Sequence, residues 1–139
     1  MTDELSAANV NRAYSLAATS ITVFTFTMVF LYPKYVAGDV NSTLFQATLV
    51  VMAVATFAFV PTTFHYYGSS LGGRVDESAR RGFARRGDLL WLLGYSLLFL
   101  EPSLVLFTIG LTLVGAAWLG LWFVYAAFVV RYFPLVRTS

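Results

Sequence analysis

Apolar positions in this chain fall into four runs of about 20 residues, at 13–32, 44–64, 89–107 and 111–130. Polar positions gather in the short stretches between them. A hydrocarbon core of ~30 Å takes ~20 helical residues to cross, so each run predicts a membrane-spanning helix. Pro33 and Lys34 close the first run, and His65, Tyr66, Tyr67 and Gly68 follow the second. Asp88 stands directly before the third, where an N-cap is expected. The fourth stops at Arg131 and Tyr132. No charge interrupts residues 104–130, and one helix of that length would need strong tilt. Thr108, Gly110 and Thr112 therefore mark a tight hairpin at 108–112.

The runs show none of the alternation a barrel strand requires. Thr, Val and Phe would lean toward strand in water, but lipid offers backbone groups no partner, so each run must bond within itself as a helix. The predicted fold is an all-α membrane protein of four transmembrane helices in an up-and-down bundle. Residues 1–139 form one transmembrane domain, with residues 68–88 as a basic loop.

Composition agrees. Hydrophobic residues make up 58% of the chain and charged residues 12%, with a mean hydropathy of +0.73. A soluble domain carries about 25% charged residues. The absence of cysteine excludes disulfides and thiol chemistry. The start, Met1-Thr2-Asp3-Glu4, is acidic where a secretory signal is basic, so the first helix is expected to stay in the mature protein.

Charge placement predicts orientation. Arg12, Arg74, Arg80, Arg81, Arg85, Arg86, Arg131 and Arg137 fall on one side, and Lys34 alone on the other. Basic residues near span ends are retained in the cytoplasm, so both termini and residues 68–88 are expected inside the cell. Tyr66, Tyr67, Trp91 and Tyr132 fall near the inner interface, Tyr32 and Tyr35 near the outer one, as interfacial aromatics do.

One acid lies within the runs. Glu101 is 12 residues beyond Leu89, which puts it ~18 Å along the third helix, past the midplane. An ionised carboxylate there costs at least ~2.5 kcal/mol. Glu101 is therefore expected to hold or exchange a proton, sheltered by neighbouring helices. Gly94, Glu101 and Thr108 repeat every seven residues and make one narrow stripe suited to packing. Pro102 removes a helix hydrogen bond and loosens the turn beside the acid. The same depth falls at residues 25–27 of the first span, 52–56 of the second and Trp118 of the fourth. Thr25 or Thr27 is the expected hydrogen-bond partner, and both count with Glu101 as candidate proton or ion site residues.

Other residues carry weaker signals. His65, the single histidine, sits at the inner end of the second span, as an interfacial residue or a proton entry. Arg80, Arg81, Arg85 and Arg86 belong to a short duplication that fixes topology or contacts anionic headgroups or an acidic partner. Ser15, Thr19, Thr22 and Thr25 share a face suited to contacts between helices. Gly94, Gly115, Ala116 and Gly120 are candidate close-packing positions, with Ala116 and Gly120 as a small-xxx-small pair. No metal ligand set, cofactor motif or catalytic pairing is present, and no nucleic-acid partner is expected. The expected function is a homo-oligomeric channel or small transporter in the cell membrane. The alternative is a non-catalytic assembly subunit of a larger membrane complex.

Overall fold

The computed structural model describes residues 2–71 and 74–136, with side chains from residue 7 to residue 131 outside the gap. Tyr132 and Arg137, counted above, lie outside the described side chains. Four helices follow one another: α1 Thr2–Ala37, α2 Ser42–Ser70, α3 Glu77–Thr108 and α4 Thr112–Val136. All four are long and apolar enough to cross a membrane.

All four helices extend beyond the predicted runs. α1 begins at Thr2 and passes Pro33 to reach Ala37. A proline this close to a helix end forfeits a single hydrogen bond, and the stop comes instead from Gly38. Residues 68–88, expected as a loop, are largely helical: α2 continues to Ser70 and α3 starts at Glu77. Asp76, not Asp88, is the N-cap, its carboxylate accepting from the Ser78 amide at 3.2 Å. Glu77 pairs with Arg81 one turn on, a spacing that supports an exposed helix. The extension packs against α2: a Cβ on Gly68 would lie 3.2 Å from the Phe83 ring.

Both turns at the opposite end are built alike. Gly38 (φ 80°) and Gly110 (φ 83°) take the left-handed conformation that other L-residues avoid. In each, the glycine N–H and the next N–H bond back to carbonyls of the closing turn. Gly38 donates to Tyr35 and Asp39 to Lys34; Gly110 donates to Phe107 and Leu111 to Leu106. This is the Schellman termination. The predicted hairpin at 108–112 is present, with α3 ending at Thr108 and α4 starting at Thr112.

Consecutive helices run antiparallel. Tyr35 stacks on Phe45 at the hairpin end, where these turns lie, and Ser20 bonds Thr56 further along. Thr48 meets Thr108 at the hairpin end, and Tyr66 meets Asp88 toward the arginine end. α2 is the central member. Its residues 45, 48, 52, 55, 59, 62 and 66 are all buried, a three-four repeat that turns one seam inward. The helices form an open row instead of the closed bundle expected: among the described residues, α4 approaches α3 alone, and α1 and α4 do not meet.

The glycines give a graded test. Gly110→Ala forces a side chain into the left-handed region and is expected to destabilise by about 1 kcal/mol. Gly82 is helical with open space around it, so Gly82→Ala should stabilise by about 0.5–1 kcal/mol. Reversible unfolding in detergent micelles checks both signs.

Candidate functional site

α3 presents two faces. Gly87, Gly94, Glu101 and Thr108 repeat every seven residues, and all four are buried. Contacts on either side of Glu101 show that this stripe faces α2. Toward the hairpin end, the Thr48 and Thr108 hydroxyls lie 3.1 Å apart. Toward the arginine end, Phe59 fills a notch at Gly94, where an added Cβ would come within 2.9 Å of the ring. Glu101 sits midway between Gly94 and Thr108, level with the buried α2 residues Met52 and Ala55. The other face of α3 holds α4. Fully buried Ser103 donates to the Gly115 carbonyl at 2.8 Å. The indole N–H groups of Trp118 and Trp122 donate to the carbonyls of Phe99 and Ser96, at 2.9 and 2.8 Å.

Glu101 is 2% exposed, and its Oε1 is buried with no hydrogen-bond partner. Leaving a buried acceptor unpaired costs about 1–3 kcal/mol. Other buried polar groups on α2 show the usual solution. Thr48, Thr62 and Thr63, like half-buried Thr56, each donate to the carbonyl four residues back. An ionised carboxyl has no proton to donate in that way, and the free Oε1 remains able to bind a proton, a water or a cation.

The two candidate threonines are placed otherwise. Thr25 is exposed and donates to the Ile21 carbonyl of its own helix at 2.9 Å. It lines a shallow apolar depression on the outer face of α1, with Ile21, Thr22, Phe26, Val29 and Phe30. Thr27 is buried on the α1 face that carries Ala13, Ala17, Ser20 and Leu31. Neither bonds Glu101 Oε1. The hydroxyl face expected to join helices bonds inward on its own helix: Thr19 to Ser15, Thr22 to Ala18 and Thr25 to Ile21. Contact between α1 and α2 runs instead through Ser20, whose hydroxyl lies 2.8 Å from that of Thr56.

His65 stands far from Glu101, near the arginine end, its ring 5.9 Å from that of Phe83. Beside it Tyr66 donates to Asp88 at 2.9 Å. Asp88 therefore ties α3 to α2 within the helix instead of capping it. The four arginines divide by role. Arg80 donates from Nε to the Ser69 carbonyl at 3.0 Å, satisfying the end of α2, and Arg81 pairs with Glu77. Arg85 and Arg86 are exposed and make no ion pair among the described residues. Of the small residues, Gly94 and Gly115 are close-packed, Gly115 against Phe107. Ala116 and Gly120 face outward, with nothing within 4 Å of a Cβ placed on Gly120.

No three His, Asp or Glu side chains converge in a metal-binding group among the described residues. No family model, curated protein or solved structure matches the chain.

The start of α3 is pH-sensitive. Hydrogen bonds from the Ser78 side chain and amide hold the Asp76 carboxyl below its usual value, and Arg81 does the same for Glu77. A group whose value is lowered by folding adds stability above its unfolded value, and loses it as pH falls through the folded one. The first turn of α3 should therefore stay intact at neutral pH and fray below about pH 4. Amide exchange at residues 78–80, compared between pH 7 and pH 3, checks this, with residues 96–100 as internal reference.

Proposed function

We propose that this protein is a small channel or transporter of the cell membrane, with Glu101 as its proton- or cation-binding group. The observation behind this reading is the buried Oε1 without a partner. A purely structural acid would be expected to spend that oxygen on a neighbouring hydroxyl. Hydroxyls are present in the same seam, at Thr48 and Thr108, yet each is engaged elsewhere. An intramembrane carboxyl kept free at a cost in stability is the usual mark of a group whose ligand comes and goes.

The active form in this proposal is a homo-oligomer. An open row of four helices leaves the outer faces of α1 and α4 uncovered among the described residues. The arginine end is proposed to be cytoplasmic, since Arg12, the α3 extension and Arg131 share it against Lys34 at the hairpin end. Exposed Arg85 and Arg86 are then one turn from the apolar part of α3, at the depth of anionic headgroups, worth about 1 kcal/mol per cation.

A second reading rests on a different observation. Ala116 and Gly120 expose a small-xxx-small pair that no helix of this chain uses. Such pairs let another helix approach closely, as in an assembly subunit docked to a larger complex.

Glu101→Gln keeps the side chain's shape and removes its proton exchange. Purified and reconstituted in liposomes, it should lose at least about ten-fold in proton or cation flux, with unfolding temperature within a few degrees of wild type. Equal flux of both proteins for every ion, protons included, overturns the reading. Purification in mild detergent separates the alternatives: copies of one chain support the first, and a different copurifying chain supports the second.

A further inference from the structure

Glu101 is closed in from both ends of its seam, but by different materials. Toward the arginine end the barrier is Phe59, fully buried, its ring seated in the Gly94 notch so tightly that one added methyl would meet it at 2.9 Å. Ala58 borders the same notch at 3.2 Å. Beyond it the seam continues for ~9 Å of helix to Asp88 and its bond to Tyr66. Along that stretch the buried Thr62 and Thr63 hydroxyls donate to carbonyls of their own helix. The ring occupies the space a water or cation would need.

Toward the hairpin end the contact between α2 and α3 is polar, with the buried ring of Phe45 one turn further out on α2. Thr108 is the last residue of α3, ~10 Å of helix from Glu101, and the turn at Gly110 follows at once. Its hydroxyl lies against that of Thr48, 3.1 Å away. Each hydroxyl also reaches its own helix, Thr48 to the Leu44 carbonyl at 2.7 Å and Thr108 to the Leu104 carbonyl at 2.8 Å. A hydroxyl carries a single proton. Three contacts thus share two protons, so one of them always lacks its hydrogen. The contact across the seam is the one that can yield while each hydroxyl keeps its bond to its own helix, and both oxygens keep lone pairs for water or a cation.

We infer that Glu101 is reached from the hairpin end alone, through the Thr48 and Thr108 hydroxyl latch, and that Phe59 in the Gly94 notch seals it from the arginine end. This rests on the proposed role of Glu101 as a binding group and makes that role more specific. A site open to one side and sealed from the other describes a carrier-like, gated protein, not a continuously open pore. Passage to the arginine end then requires the Phe59 ring to leave its notch. Phe59 is a gating residue, acting through access and not through contact with the bound species.

The chain has no cysteine, so single introduced thiols report access without background. Full-length Glu101→Cys is reconstituted in sealed vesicles and exposed to a membrane-impermeant cationic methanethiosulfonate from either side. Asp39→Cys marks the hairpin end and Gly82→Cys the arginine end, so sidedness is read directly. Modification at position 101 is expected from the Asp39 side, at least about ten-fold faster than from the Gly82 side. Adding Phe59→Ala should raise the Gly82-side rate by at least about ten-fold. Phe59→Leu serves the same purpose if the larger truncation disturbs folding. Equal rates from both sides, a faster rate from the Gly82 side, or no modification from either overturns the inference, as does an unchanged Gly82-side rate in a folded Phe59 variant. Failure of the conduction reading shows separately. Flux unchanged by Glu101→Gln removes conduction while leaving the labelling pattern intact, and symmetric labelling removes the gate while leaving any flux difference intact.

Discussion

A medium without hydrogen-bond partners governs how this chain is built. Once four helices sit in such a medium, every polar side chain must find its partner inside the protein. Most do so within one helical turn, the threonines of α1 and α2 donating to the carbonyl four residues back. The remainder bridge helices, and these bridges occur at each packed interface: Ser20 with Thr56, Thr48 with Thr108, Tyr66 with Asp88, and Ser103 with Gly115. Against that background Glu101 Oε1 stands apart. It is the one buried side-chain nitrogen or oxygen among the described residues with no partner.

The spans, the hairpin at 108–112 and the Gly94, Glu101 and Thr108 stripe were legible in the sequence because each leaves a local signature. Long apolar runs, a glycine between threonines and a seven-residue repeat need no knowledge of neighbours. The seam of α2 was not legible. Its inward positions include Thr48, Met52, Ala55, Phe59 and Thr62, no more apolar than the residues facing out. In water burial sorts apolar from polar, but lipid is as apolar as leucine, so the pattern that reveals a buried face is missing. The same reason misplaced Thr25. Depth along a helix can be counted from sequence, while rotation about its axis cannot be read when all faces are apolar.

The stretch from 68 to 88 was misread for the opposite reason. Five arginines and five glycines look like a solvated loop, and the apolar periodicity that would betray a helix is thin. What makes it helical is local and polar: the Asp76 cap, the Glu77 pair with Arg81, and Arg80 closing the carbonyl end of α2. Arginine therefore does two kinds of work at this end. Two of the duplicated four hold the α2 and α3 extensions together or support the helix. The other two are left to the surroundings, which no count of charges could have apportioned.

The openness of the row bears on how a site and a path relate. α4 is held to α3 by Ser103, Trp118 and Trp122, polar contacts spread along one face, while most of its other residues are exposed. If Glu101 is reached through the seam of α2 and α3, the binding group and both barriers belong to one chain. In the proposed homo-oligomer, neighbouring copies would then shield the flanks of that seam and brace the helices that move when Phe59 leaves its notch. They are not needed to assemble the site. That division predicts a particular order of failure: loss of the oligomer should weaken transport before it alters how Glu101 is reached. A pore lined jointly by several copies would show the reverse, since its acid would gain access from both sides as soon as the copies separated.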